Sequence, residues 1–92
     1  MSEYIEIESD STDNPDQLRL ITNLQLATEG DEHYDSADAM EEGSPLAQAL
    51  AYVPGLLALT IQEQTLLVTR ESDMPWHIIV ADISAAVKDF FL

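Results

Sequence analysis

SPLAQALAYVPGLLALTI, residues 44–61, carries the instructions to open a helix, close it and pass straight into a strand. Ser44 can accept hydrogen bonds from the first free backbone amides as N-cap. Pro45 suits the first helical position, where its missing N–H would be unpaired anyway. Leu46, Ala49, Leu50 and Val53 recur at spacings of three and four, the apolar stripe of a helix. Pro54 cannot continue the hydrogen-bond ladder, and Gly55 supplies the backbone freedom to turn out of it. Leu57, Leu59 and Ile61 then alternate with Ala58 and Thr60, the two-residue period of a strand. The stretch offers no acid, base, thiol or imidazole. It builds a core.

Toward the C-terminus, QEQT turns the chain and LLVTR (66–70) returns with Leu66 and Val68 inward, completing a hairpin. Asp73, Met74 and Pro75 read as a cap and first turn. Trp76, Val80, Ile83 and Val87 follow at intervals of four, three and four, with Ile79 and Phe90 beside them. Toward the N-terminus, Ile5 and Ile7 alternate with Tyr4, Glu6 and Glu8. The polar connection SDSTDNPDQ (9–17) then leads to LRLIT, with Leu18, Leu20 and Thr22 sharing one face. The order strand–strand–helix–strand–strand–helix predicts an α+β fold, in which one four-stranded sheet, mixed or antiparallel, carries two helices on one face. The predicted core is Leu46, Leu50, Val53, Leu59, Ile61, Leu66, Val68, Trp76, Val80, Ile83 and Val87.

The 92 residues suit one domain over 1–92, folded from about residue 4 to residue 91, and 46% of them are apolar, enough for one core. The absence of cysteine rules out disulfides, a thiolate nucleophile and thiolate-held zinc within this chain. The polar start MSEYIEIESD gives no expectation of a signal peptide, and the apolar runs fall short of the ~18 residues of a membrane span. The expected location is cytoplasmic. Three bases face eighteen acids, a formal charge of −15. Nucleic acids and acidic membrane surfaces would repel such a chain, which leaves a basic protein, a cation or simple solubility.

Carboxylates crowd into residues 29–43, expected to be mostly loop around a short strand at Tyr34. A calcium loop can be laid over Asp31 to Glu42, but Ser36 stands where the turn glycine belongs and His33 where an oxygen ligand belongs. The segment therefore suits, at most, loose association with divalent cations. Asp31, Glu32, Asp35, Asp38, Glu41 and Glu42 are the candidate residues for docking a partner. His33 and His77 read as ordinary surface histidines, and Trp76 as core. Glu41 and Glu42 are adjacent acids of the kind a carboxylate-rich chain contains by chance. No nucleophile or oxyanion donor set accompanies them, so no catalytic residue is assigned and the chain is read as a non-enzyme.

Three blocks carry a family resemblance. YIEIESDSTDNPDQLRLI resembles the opening strand, T-P-N-P-N-like turn and second strand of the N-terminal domain of Nfu/NifU-type iron–sulfur scaffold proteins. SPLAQALAYVPGLLALTI is similar to that domain's helix and following strand, and TLLVTRESDMPWHIIVADISAAV to its ending. The likeness runs from about Tyr4 to Phe91, with Asp13 in place of the turn motif's first proline. The full-length scaffolds are known for a C-terminal C-x-x-C domain that ligates the cluster, which these residues lack. The resemblance implies a stand-alone copy of the companion domain without the metal ligands; the chain is expected to be monomeric and to carry no cofactor. It would act through a protein partner of cluster assembly or delivery. An acidic nucleic-acid mimic that sequesters a basic partner is the alternative that charge alone suggests, with weak divalent-cation binding a third.

Overall fold

The computed structural model describes residues 5–26 and 30–91; Tyr4 and Glu29, at the start of the predicted core and of the acidic segment, lie outside them. Strand β1 (Ile7–Ser11) and strand β2 (Gln17–Thr22) form an antiparallel hairpin. Its connection is tied by Asn14, whose Oδ1 accepts from the Asp16 amide at 2.9 Å. Strand β3 (Glu32–Tyr34) and helix α1 (Ala37–Glu41) come next. Helix α2 (Pro45–Leu50), strand β4 (Leu56–Ile61), strand β5 (Thr65–Arg70) and helix α3 (Trp76–Phe91) complete the chain.

The strands form one sheet in the order β1-β2-β5-β4-β3, antiparallel throughout. The two hairpins are joined side by side through β2 and β5, and β3 is added at the far edge against β4. The α+β class is as predicted. The four-strand, two-helix count is corrected to five strands and three helices among the described residues, because the acidic segment is folded. Tyr34 does anchor a strand, but Ser36, the residue that spoils the calcium loop, caps a helix by accepting from the Ala39 amide at 3.1 Å. Met40 on that helix is fully buried, so one side chain gives the segment a place in the core.

Ser44 caps α2 by accepting from the Ala47 amide, with Pro45 in the first turn as expected. Gly55 turns out at φ +83°, a backbone conformation that favours glycine. Three details differ from the periodicity. A bulge between Leu56 and Ala58 buries Leu56 and turns Leu57 outward. In α2, Ala47 is buried and Ala49 only half-buried. In α3 the buried line is Ile79, Ile83 and Val87, while Val80 and Trp76 are half-buried and Phe90 is exposed.

Leu20, Leu66, Val68, Leu59 and Ile61 share one face of the sheet and have no exposed surface. They belong to one cluster with Met40, Leu46, Leu50, Ile79, Ile83 and Val87 of the helices. The helices therefore cover that face, and among the described residues no helix packs on the opposite one.

Candidate functional site

Five of the six candidate carboxylates, Asp31, Asp35, Asp38, Glu41 and Glu42, are exposed around β3 and α1. Asp38 lies in the first turn of α1, Glu41 ends it, and Glu42 is its C-cap. Spacings of three and four along α1 bring these three like charges onto neighbouring positions. Glu32 differs. It lies on the core side of β3 beside Ile61 and accepts the hydroxyl proton of Tyr34. That hydroxyl in turn accepts from the Ser44 amide at 3.2 Å. Glu32 thus joins β3 to the start of α2 and is committed to the fold.

Asp35 is held at the sheet's edge. His33 lies on the open face opposite Thr60, with Nδ1 2.7 Å from Thr60 Oγ1 and Nε2 2.6 Å from Asp35 Oδ1. The row Thr–His–Asp has the residue types of a nucleophilic relay. The imidazole and Asp35 are largely open to water, however, where such a relay loses the low-dielectric setting that makes its electrostatics effective. Among the described residues, no three His, Asp or Glu side chains gather to hold a metal ion.

A second constellation escaped the sequence reading. Trp76 Nε1 donates to the Pro15 carbonyl at 3.0 Å, and the Arg70 guanidinium lies 5.0 Å from the centroid of its ring. Arg70 also pairs with Asp16 at 3.3 Å and donates to the Met74 carbonyl at 2.8 Å. The tryptophan therefore closes the D-N-P-D turn against the end of β5 while packing, half-buried, against the edge of the core. The three sequence blocks that carry the family resemblance meet at this end, since a Cβ on Gly55 would come within 2.7 Å of Met74. This cluster is satisfied internally. It stiffens one end of the sheet.

The open face is read from the register. Asp10, Arg19, Leu67, Thr60 and His33 form one row across all five strands. Glu8, Ile21 and Thr65 lie in the next row on one side, and Gln17, Thr69 and Ala58 on the other. The two strands β5 and β4 present aliphatic and hydroxylic side chains to this face, with Arg19 and Gln17 beside them on β2, and acids stand at its margins. Beside its β1 corner, a cleft of about 120 Å³ is lined by Glu6, Glu8, Ile21, Thr22 and Asn23.

The family model described as Scaffold protein Nfu/NifU N terminal matches residues 7–92. Among curated proteins, the NFU1 iron-sulfur cluster scaffold homolog, mitochondrial, of Drosophila ananassae is 27% identical over 85 residues. NifU-like protein 5, mitochondrial, of Arabidopsis thaliana is 31% identical over 86. Each alignment covers 92% of this chain and 30% of the relative, so the chain spans under a third of the length of these relatives. A solution structure of a NifU-like protein of Saccharomyces cerevisiae superposes with a TM-score of 0.77 at 21% identity, covering 97% of this chain and 82% of that one. A crystal structure of a Staphylococcus aureus protein gives 0.71 at 18% identity, covering 89% and 98%. At such identities the two structures show a shared fold.

Proposed function

Because the chain belongs to the Nfu/NifU N-terminal family of scaffold proteins, we propose that it serves iron–sulfur cluster assembly or delivery as a non-enzymatic interaction module. It would contact a protein partner of that pathway and supply no cluster ligands of its own. One observation carries this: the family match spans residues 7–92 of a chain that has no cysteine. Clusters are held chiefly by thiolates, sometimes with histidine replacing some of them. Both ring nitrogens of His33 already face Thr60 and Asp35, and carboxylates prefer harder ions than iron–sulfur clusters offer. The cluster is thus cargo that passes between other proteins.

The exposed acids Asp31, Asp35, Asp38, Glu41 and Glu42 are the proposed source of attraction toward a basic partner. Such a patch speeds encounter more than it tightens the complex. The test is cluster transfer from a purified, cluster-loaded NifU-type scaffold to an apo-enzyme, read as recovered enzyme activity. Transfer should run faster with this chain than without it, and equal rates would sink the proposal. Replacing the five acids by Asn or Gln should slow the accelerated transfer and flatten its salt dependence. Incubated anaerobically with iron and sulfide and then desalted, the chain alone should show no visible charge-transfer bands. A stable brown protein with stoichiometric iron and sulfide would refute the absence of ligands.

A further inference from the structure

We infer that the open face of the sheet is the seat of the protein partner, and that the partner presents an apolar ridge flanked by Arg or Lys side chains. From the preceding section this takes only that the partner is a protein. The interior of the face is Ile21, Leu67, Ala58 and the hydroxyls of Thr60, Thr65 and Thr69, with Ile21 38% exposed and Leu67 half-buried on the central strand. None of these six carries a charge, and Arg19, the charged residue beside them on β2, is paired with Asp10. The margins carry Glu6, Glu8 and Asp10 on the β1 side and Asp35 on the β3 side, all exposed. An uncharged centre inside a charged rim is the layout of a protein–protein contact surface.

The sign of the rim selects the occupant. Arg19 pairs with Asp10 at 3.4 Å and offsets it, which leaves Glu6 and Glu8 as the negative margin on the β1 side and Asp35, beside His33, on the β3 side. A second copy of the chain would set this rim, and its charge of −15, against their like. Nucleic acid and acidic lipid are repelled for the same reason. A basic-flanked apolar surface complements both the centre and the rim. The cleft at the β1 corner adds a specific contact. This open cleft of about 120 Å³ has aliphatic Ile21 and the acids Glu6 and Glu8 among its lining residues. It suits the end of one long basic side chain, and the planar fork of arginine matches a carboxylate better than an ammonium does. The acids around α1 would then steer an incoming partner, while the face holds it.

The test uses the ¹⁵N-labelled full chain and three synthetic peptides. One has an Ile/Val centre between arginines, one the same centre between glutamates, and one a Ser/Gly centre between arginines. The first should move the amide signals of Ile21, Thr60, Thr65, Leu67 and Thr69, and should bind roughly tenfold more weakly when NaCl rises from about 20 to 300 mM. The other two should bind at least about tenfold more weakly than the first, since each lacks half of the complementarity. Thr65→Lys with Thr69→Lys should abolish the shifts, and Glu8→Gln should weaken the arginine peptide alone. The spectrum of each variant shows whether it is folded. Shifts centred on α1 or on the other helices would overturn the inference, as would equal binding of the glutamate peptide or no binding at millimolar peptide. Self-association of the native chain through this face, seen by sedimentation, would assign the face to a second copy and overturn it too.

Discussion

Gly43 sits beneath the ring of Tyr34, where a Cβ would come within 2.6 Å of the phenol oxygen. Its need is for space, since its backbone is not left-handed. Gly43→Ala must push the ring aside and with it the hydroxyl that links Glu32 to the Ser44 amide. A cost of about 1–3 kcal/mol is expected, as for overpacking elsewhere, read as a lower urea midpoint. An unchanged midpoint would mean that the ring moves freely and that β3 is not anchored through it. On α3, Ile83→Ala should cost about 2–5 kcal/mol, because Ile83 has no exposed surface, and Val80→Ala clearly less. Equal losses would put the helix in the wrong rotation. The sequence cannot separate these two settings by period alone. Ile79 and Val80 are adjacent and both aliphatic, and either makes a line with Ile83 and Val87. What decides is Trp76, which the Pro15 carbonyl draws out of the helix's inner line to cover the turn. That contact spans 61 residues and has no local signature.

Helix α2 and both hairpins were legible because each is announced by chemistry within the element: Ser44 and Pro45 before α2, Gly55 after it, and alternation in β2 and β5. Helix α1 was not. Five residues with a single buried side chain, Met40, give no period, and the surrounding acids resemble an exposed loop. Its one local signal is Ser36 two residues before Asp38, the pattern of a cap and an acidic first turn. The bulge in β4 was hidden for another reason, since Leu56 and Leu57 are the same residue and only the pairing shows which one is inside. The two serine caps give a test at this scale. Ser36→Ala should remove about 1 kcal/mol from α1 alone, speeding hydrogen exchange at the Ala39 and Met40 amides while barely moving the global midpoint. Ser44→Ala removes a similar amount from an element in the central core, and should lower the midpoint itself. If Ser36→Ala lowered the midpoint as much, α1 would unfold with the rest and could not be a local unit.

At the scale of the molecule, charge is the dominant peculiarity, and the carboxylates could be counted from the sequence while the surface they border could not. The open face is assembled from all five strands in the order 1-2-5-4-3, so that Asp10, Leu67 and His33 come into one row only after the two hairpins join. Folding gathers eighteen acids and three bases into a small volume, and self-repulsion must oppose it. The pairs that relieve it are few: among the described residues, Arg19–Asp10 is exposed and contributes little, while Arg70–Asp16 is better sheltered. Sodium chloride should therefore stabilise the protein. The Debye length is about 30 Å at 0.01 M and about 10 Å at 0.1 M, so most of the gain should come below roughly 0.2 M. Relief of even 1 kcal/mol would raise the melting temperature by about 4–8 °C in a domain of this size. Neutralising Asp31, Asp35, Asp38, Glu41 and Glu42 to amides should raise the melting temperature at 10 mM salt and shrink the further rise on adding salt. A melting temperature that fell with salt, or a variant less stable than the parent at 10 mM, would mean that these acids take part in favourable pairing. They would then hold the fold together, and the steering role would have to pass to the acids bordering β1.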